Sequence, residues 1–543
     1  MPSLLPILLL TQAPYYAPPI LPAEPVAFQE SNLLLSPSAQ AASAAEGGGG
    51  PGKKGKHKKK LKKTNSAKAD QASANDDNDD NEKRPDTALD LARELGISND
   101  DARPDSQRET TLLGKRLIIG GKLTTDVRGR SAYGLVRGAA DDDISFDPEA
   151  TFEAIWIPSK TSVVFAAVKA AGELELYKQG GEANSAAGLE LNALWLLKTR
   201  LFDTPLAVQI GRQKMQERRN WWWDEDIDAV RLHYFGSKVT GFIGVGQVNA
   251  LNLSTLGRVD PEERGLLRAF GTAEWEWKKR NTFSVFALHQ NDRTARYALG
   301  QLVNRVDADK QDANLTWFGA RARGCLKAKL PRRICYWGDI ARLRGTDLSY
   351  NLNRVDPQNS AVNRLTTRNV RGWAYDVGTS IELPFTFKPY LTLGYAWGSG
   401  DPAGTPGFDG AFRQSGFHKN DGKFRGLTRF RYYGEVLRPD LSNIAITTAA
   451  LGIPIRKDSW IEAVWHSYRQ PIADNSISGS KLDRDPNGIS KSLGDEFDLI
   501  LSHRPASGWI FELTSGAFRA GSAFGPEEGR LAGLVELKID YNF

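Results

Sequence analysis

The last nine residues, Val535–Phe543, read VELKIDYNF. Val535, Leu537, Ile539, Tyr541 and Phe543 alternate with Glu536, Lys538, Asp540 and Asn542. Successive strand side chains point to opposite faces, so this stretch is a strand with one apolar and one polar face. A soluble sandwich also uses such strands. A closing strand that ends on an aromatic with no polar tail fits better a barrel whose outer wall faces lipid.

Working back from that stretch, the same texture recurs as far as Arg116. LELNALWLL places Leu189, Leu191, Ala193, Trp195 and Leu197 on one face, with Glu190 and Asn192 on the other. PLAVQIG sets Leu206, Val208 and Ile210 opposite Gln209, and DAVRLHY sets Val230, Leu232 and Tyr234 opposite Arg231 and His233. In TAEWEW, DVGTSIEL and DEFDLIL, the residues Trp275, Trp277, Val377, Ile381, Phe497 and Leu499 alternate with Glu274, Glu276, Asp376, Glu382, Glu496 and Asp498. Acids repeated on the second face belong beside water, not in a packed core. At roughly 24 residues per strand with its share of connection, 116–543 holds about 18 strands. The expected fold is all-β: a transmembrane antiparallel barrel with an unstructured N-terminal extension. Asn304–Asn314, Asn353–Arg368, Gly398–Gly422 and Ile472–Lys491 are polar enough to be extracellular or lumen-folded loops.

The composition agrees with strands and excludes membrane helices. Only 40% of residues are hydrophobic and 25% are charged, and no apolar run reaches the roughly 18 residues a spanning helix needs. A barrel needs only every second residue to be apolar. The 14 tryptophans suit interfacial girdles. The net charge of +6 is too small to identify a partner.

Three regions follow. Residues 1–25 carry a short apolar run, Leu4–Leu10, with no Lys or Arg before it, and make at best a degenerate export signal. Residues 26–115 hold a glycine run, a basic block of eight lysines between Lys53 and Lys63, and the acidic NDDNDDNEK. Like-charge blocks repel and resist folding. A short helix is expected at Thr87–Leu95, capped by Asp86 and stopped by Gly96. Residues 116–543 are the barrel.

Two charged stretches stand out within the barrel. In GRQKMQERRNWWWDEDIDAVRL (Gly211–Leu232), Arg212, Lys214, Arg218 and Arg219 precede Trp221–Trp223, and Asp224, Asp226, Asp228 and Arg231 follow. The second, Phe424–Asn443, holds Arg425, Arg429, Arg431 and Arg438. Arginine forks match carboxylates with paired hydrogen bonds, and charged rings are how pores choose ion sign. The same charges also suit exposed loops in which they pair with each other for little energy. The three tryptophans read as a girdle or as stacking platforms for sugar rings, and three consecutive residues cannot all face one way in a strand. Cys325 and Cys335, the only cysteines, flank Pro331 and read as a disulfide across a hairpin loop. Two unpaired thiols are the alternative, and no zinc set surrounds them.

The Gly211–Leu232 stretch resembles a segment of the alginate-export family of outer-membrane porins. So do YAWGSGDPAGTPGFDGAFRQSG (Tyr395–Gly416), RYYGEVLRPDLSN (Arg431–Asn443) and AFRAGSAFGPEEGRLAGLVELKIDYNF (Ala517–Phe543). The resemblance covers most of 116–543 and not the tail. It implies an 18-stranded barrel in the bacterial outer membrane. It also implies an electropositive constriction through which an anionic polyuronate passes outward by passive diffusion. It implies pore-lining roles for Lys214, Asp224, Arg429 and Arg438, and for Lys122, which matches less of its motif. Arg212, Arg231 and Arg431 join them as candidates from the charged stretches. Glu512 and Thr514 stand where the family carries a basic pair, and Asn192 where it carries an arginine. Both changes thin the positive ring.

The partners this reading implies are an anionic polysaccharide, outer-membrane lipid and periplasmic export components, with a monomeric barrel, no nucleic acid and no cofactor or metal. A porin for small anionic sugars is the alternative within transport. A barrel-embedded hydrolase lacks GxSxG, HExxH or any close Ser/His/Asp set. An adhesive barrel acting through its loops is a further alternative.

Overall fold

Leu531–Asn542, which contains most of the quoted stretch, pairs antiparallel with Trp509–Ala520 on one side and with Lys115–Ser131 on the other. That second pairing joins the end of the chain to the start of the sheet. The computed structural model describes residues 88–96, 108–136, 142–179, 184–249, 265–292, 296–305, 308–327, 333–402, 406–505 and 508–543. The expected export segment, the charged blocks and Asp86 lie outside these residues.

The barrel strands in chain order begin with β1 (Lys115–Ser131), β2 (Asp143–Ser159), β3 (Ser162–Lys178), β4 (Ser185–Thr199), β5 (Leu206–Gln216) and β6 (Asp224–Phe235). Next come β7 (Val239–Gln247), β8 (Leu267–Lys278), β9 (Asn281–Asn291), β10 (Gln311–Lys327), β11 (Arg333–Arg354) and β12 (Asn359–Glu382). The last are β13 (Tyr390–Gly398), β14 (Ile444–Arg456), β15 (Ser459–Arg469), β16 (Ser492–His503), β17 (Trp509–Ala520) and β18 (Leu531–Asn542). Each pairs antiparallel with the next and β18 returns to β1, which gives a closed barrel of 18 strands. Closure removes the open edges that would otherwise expose unpaired N–H and C=O groups to lipid. Where β18 stops, the backbone of Phe543 exchanges two hydrogen bonds with Gly121. A Cβ on Gly121 would stand 2.4 Å from the Thr151 carbonyl and 2.6 Å from the Phe543 ring, so only glycine lets the ends meet.

Burial separates the two faces. In β16, Phe497 is 51% exposed while its neighbour Asp498 is fully buried. Val230, Leu232 and Tyr234 of β6 are exposed, and Arg231 and His233 between them are buried. The apolar residues thus face lipid and the acids face the bore, as alternation requires. The connections at one rim are short, at 160–161, 236–238, 279–280 and 457–458, while the other rim carries 399–443 and 470–491. Short turns mark the periplasmic end of such barrels.

In three places the chain departs from the simple alternation. First, β4 carries a bulge: Ala167 faces Ala193 but Val168 faces Leu191, which leaves Asn192 unpaired. One extra residue reverses the faces beyond it. Leu189 points outward as expected, but Ala193, Trp195 and Leu197 turn inward and Leu194 and Leu196 take the lipid side. Second, Asn353–Arg368 is not a loop. β11 runs to Arg354 and β12 starts at Asn359, so only 355–358 turn, and the two strands form a tall hairpin. Third, a strand at Arg108–Leu112 precedes β1 and pairs with its first residues.

The residues that turn inward at the bulge meet a helix. Helix α1 (Ala88–Gly96) places Ala88, Leu91 and Ala92 on one stripe, the spacing of a single helix face. That stripe is buried against Ile118, Ile155, Val163, Phe165, Trp195, Leu197 and Ala207 on the inner faces of β1–β5. The Ala88 N–H donates to the Lys160 carbonyl in the β2–β3 turn at 3.4 Å, which sets the helix at the short-turn end.

Candidate functional site

The bore is occupied by two further pieces of chain, and both come from the charged stretches. The first is the top of the β5–β6 hairpin. β4 pairs with β5 only as far as Leu194–Arg212, and β7 pairs with β6 only from Asp228 onward. Beyond those points 213–216 and 224–227 pair only with each other. The bend falls at Gly211, whose φ is 122° and whose Cβ position lies 2.2 Å from the Leu194 carbonyl. No side chain fits there. Freed from its neighbours, the hairpin end folds inward, and Met215 and Ile227 become fully buried.

The hairpin tip is the WWW run. Trp221, Trp222 and Trp223 are all buried, neither a girdle nor an open platform for sugars. Trp222 lies 4.4 Å from the Phe286 ring and Trp223 5.9 Å from Phe270, both on the inner wall. The Trp221 indole N–H donates to the Tyr433 hydroxyl at 3.0 Å. The tryptophans therefore anchor the tip to β8 and β9.

The second piece is the connection 399–443 between β13 and β14. It folds down the bore and makes a small hairpin of its own, with Asp421 opposite Arg431 and Gly422 opposite Phe430. Near its tip, Phe424 stacks on Trp337 with planes 17° apart, and the Arg425 guanidinium lies 4.3 Å from the Tyr390 ring centroid. Arg425 Nη2 also stands 3.0 Å from Cys335 Sγ. Cys325 and Cys335 form a disulfide directly across β10 and β11, near the short-connection ends of both strands. The tip thus reaches the periplasmic third of the barrel. Higher up, Arg413 pairs with Asp347 at 2.9 Å, and the Trp317 indole N–H donates to the Arg413 carbonyl at 2.7 Å.

The two pieces meet at a cluster of charge. Asp224 takes Lys214 at 3.4 Å from its own hairpin and Lys419 at 2.7 Å from the connection. Asp224 is 2% exposed, whereas Lys214 and Lys419 are 34% and 48% exposed, so the carboxylate lies beneath two ammonium groups. Burial alone would lower the Lys419 pKa, but the Asp224 carboxylate holds it above its ordinary value. Asp226 stands within electrostatic reach of Lys214, Arg212, Glu190 and Lys419. Arg429 reaches Asp421 at 3.3 Å, and Arg431 donates to the Lys419 carbonyl.

The sequence-derived candidates do not form one ring. Lys214, Asp224, Arg429 and Arg431 come together as described. Arg212 lies beside them, 3.5 Å from Glu190. Arg438 belongs to the wall at β18 and β1, 3.2 Å from Glu435 and 3.5 Å from Glu536, and Glu536 also holds Arg128 at 2.7 Å. Lys122 is on that same wall, 3.2 Å from Asp540. Arg231 is buried and donates to Gln213 and Gln209 at 2.6 and 2.7 Å.

Sequence reasoning missed a second cluster beneath the hairpin. Arg219 lies 4.4 Å from both the Trp337 and Tyr432 rings and pairs with Asp376 at 2.6 Å. Trp337 and Tyr433 also donate to Asp376, at 2.7 and 2.8 Å. Next to it Arg321 pairs with both Glu217 and Asp339. Asp376 is legible only as one of several inward acids, and Arg321 and Asp339 lie among other charges in long strands, so alternation gives them no mark that other inward residues lack. Lys419 sits in GFHKND, between two of the family-like stretches.

An 18-stranded lipid-facing barrel with a polar interior and inward-folded loops defines an outer-membrane channel of the porin type. The chain belongs to the Alginate export family, whose model matches residues 101–535. It is 25% identical over 339 residues to the alginate production protein AlgE of Pseudomonas aeruginosa, covering 59% of this chain and 67% of that one. It is 21% identical over 346 residues to AlgE of Pseudomonas syringae pv. tomato, covering 58% and 68%. Among solved structures it is similar to OccAB1 of Acinetobacter baumannii, with TM-score 0.48 and 11% identity over 79% of this chain and 96% of that one. The protein resides in the bacterial outer membrane.

Proposed function

We propose that the protein conducts an anionic, alginate-like polyuronate across the outer membrane by passive diffusion. In this reading the narrow part of the path lies where the β5–β6 hairpin meets the connection 399–443. The observation that carries it is the shared carboxylate: Lys214 and Lys419 sit over buried Asp224 and keep part of their surface toward the bore. A passing uronate meets ammonium groups held in place by an acid it does not itself touch. Asp226 and Asp421 beside them keep the attraction weak enough for the polymer to leave. Membership of the Alginate export family supports the same substrate class.

The test is reconstitution in a planar bilayer under a salt gradient, followed by titration with polymannuronate and with neutral dextrin. The expected reversal potential is that of an anion-preferring pore, with block by polymannuronate and none by dextrin. Arg429→Glu combined with Arg438→Glu lowers the anion preference, and unchanged selectivity removes both residues from the conduction path. The bore filling favours a second reading, a pore for small anionic sugars. Anion preference with no polymannuronate block supports that one.

A further inference from the structure

The outer wall of β11 and β12 carries charge where lipid-facing strands carry none. Arg342 and Arg344 point away from the bore, because Ala341 and Leu343, which alternate with them, are buried on the inside. Arg371 points outward from β12 by the same alternation, and all three side chains are exposed. In the register Arg344 lies directly opposite Arg371, and Arg342 opposite Trp373. On the β10 side Arg344 faces Thr316 and Arg342 faces Phe318. Among the described residues no carboxylate pairs with any of the three. Like charges directly opposite on a sheet repel, and a cation facing lipid costs most where water is scarce.

Their level is fixed by aromatic neighbours. Trp373, Tyr375, Tyr395 and Trp397 form one outward cluster, with Trp373 and Trp397 rings 4.5 Å apart and Tyr375 and Tyr395 rings 5.9 Å apart. Such belts sit at the headgroup boundary. Arg344 and Arg371 lie one step beyond this belt toward the rim that bears the long connections. That is the headgroup zone of the outer leaflet. An apolar groove crosses the same sector of wall. Gly271, Ala273 and Ala287 give it a low floor, Ile243, Phe318 and Ile340 flank it, and Arg342 also lines it.

We propose that this sector binds a phosphorylated, multiply acylated glycolipid of the outer leaflet. A phosphate between Arg344 and Arg371 turns their repulsion into two bidentate contacts. Arg342 takes a second phosphate oxygen, the sugar covers Trp373, and an acyl chain lies in the groove. The arrangement calls for a phosphate, a flat sugar face and a chain together. A glycolipid of this class carries all three, while a phospholipid lacks the sugar.

The experiment uses the full chain folded in detergent, with binding read by native mass spectrometry. The probes are bisphosphorylated hexa-acylated lipid A, its dephosphorylated form, and dioleoylphosphatidylglycerol. Wild type is expected to retain lipid A about ten-fold better than either other probe, a gap typical of losing one charge-assisted pair. Arg344→Gln with Arg371→Gln is expected to lose that ten-fold, with folded mobility and single-channel conductance unchanged, since both side chains lie outside the bore. Arg344→Lys with Arg371→Lys keeps the charge and is expected to fall between. Equal retention of lipid A by wild type and the glutamine pair overturns the proposal, as does equal retention of phosphatidylglycerol or of the dephosphorylated lipid by wild type. The last two comparisons need no variant to fold.

Discussion

Helix α1 and the connection 399–443 both fill the bore, and they differ in how much charge holds them. Helix α1 lies on the inner wall through Ala88, Leu91 and Ala92, against other apolar side chains. The connection also packs apolar side chains, among them Phe412, Phe417, Val436 and Leu437, but ion pairs and hydrogen bonds tie it down as well: Arg413 to Asp347, Lys419 to Asp224, Arg438 to Glu536, Tyr433 to Asp376. An apolar contact is not weakened by the ionic screening that weakens paired charges. A paired charge can exchange its partner for salt, water or a passing anion. The difference teaches which part of the filling answers to a polyanion. The connection is the responsive part, and α1, docked on the inner faces of β1–β5, is the fixed part.

The sharpest way to break this comparison is to remove each filling in turn. Replacing 411–436 by a short glycine-serine link is expected to raise single-channel conductance several-fold and to abolish discrimination between polymannuronate and dextrin. Removing 88–96 is expected to raise conductance less and to leave that discrimination in place. Equal effects of the two deletions, read in the same bilayer, end the division of labour.

How much of this was legible in the sequence depends on whether a feature is local. Alternation at Val230–Tyr234 and at Phe497 is a property of neighbours, so the lipid face and the strand number were readable. The bulge at Asn192 was not: one inserted residue reverses Trp195 and Leu197, and nothing in LELNALWLL distinguishes that from unbroken alternation. The apolar run after it was instead the signature of the α1 dock, visible only once the helix is placed. The charged stretches pointed to the right segments but not to their arrangement. Lys214 and Asp224 are neighbours through hairpin register, whereas Lys419 reaches Asp224 only because a long connection doubles back. Asp376 and Arg219 are 157 positions apart in the chain, and no local pattern joins them.

The Arg219 contact offers the next test, on the polar side of the comparison. Its guanidinium sits between Trp337 and Tyr432 and neutralises Asp376, whose side chain is 3% exposed. Arg219→Met keeps the packing and leaves the carboxylate without its cation. Removing one partner of a buried pair costs about 3–5 kcal/mol, and the donors Trp337 and Tyr433 keep this case near about 3 kcal/mol. The expected result is a lower thermal midpoint of the folded, heat-modifiable form. Arg219→Met combined with Asp376→Asn is expected to recover most of that loss. A single variant as stable as wild type shows that the hairpin is held by its tryptophans alone.

The smallest effect belongs to α1, and it separates docking from barrel stability. Leu91 is buried between the helix and the wall, and truncating a buried leucine to alanine costs about 2–5 kcal/mol where the site cannot collapse. Here one side of the contact is a single short helix tied to the barrel mainly by apolar contacts and by the Ala88 hydrogen bond to Lys160, so the loss falls on docking and not on the strand ladder. Leu91→Ala is therefore expected to leave the stability of the barrel within about 0.5 kcal/mol of wild type, the range of changes away from the core. It is expected to speed cleavage by trypsin after Arg93, an exposed site on the same helix. High salt should change that cleavage rate less than it loosens the ion-paired connection. If salt speeds cleavage at Arg93 as much as Leu91→Ala does, the helix is held by charge after all, and the contrast between the two fillings disappears.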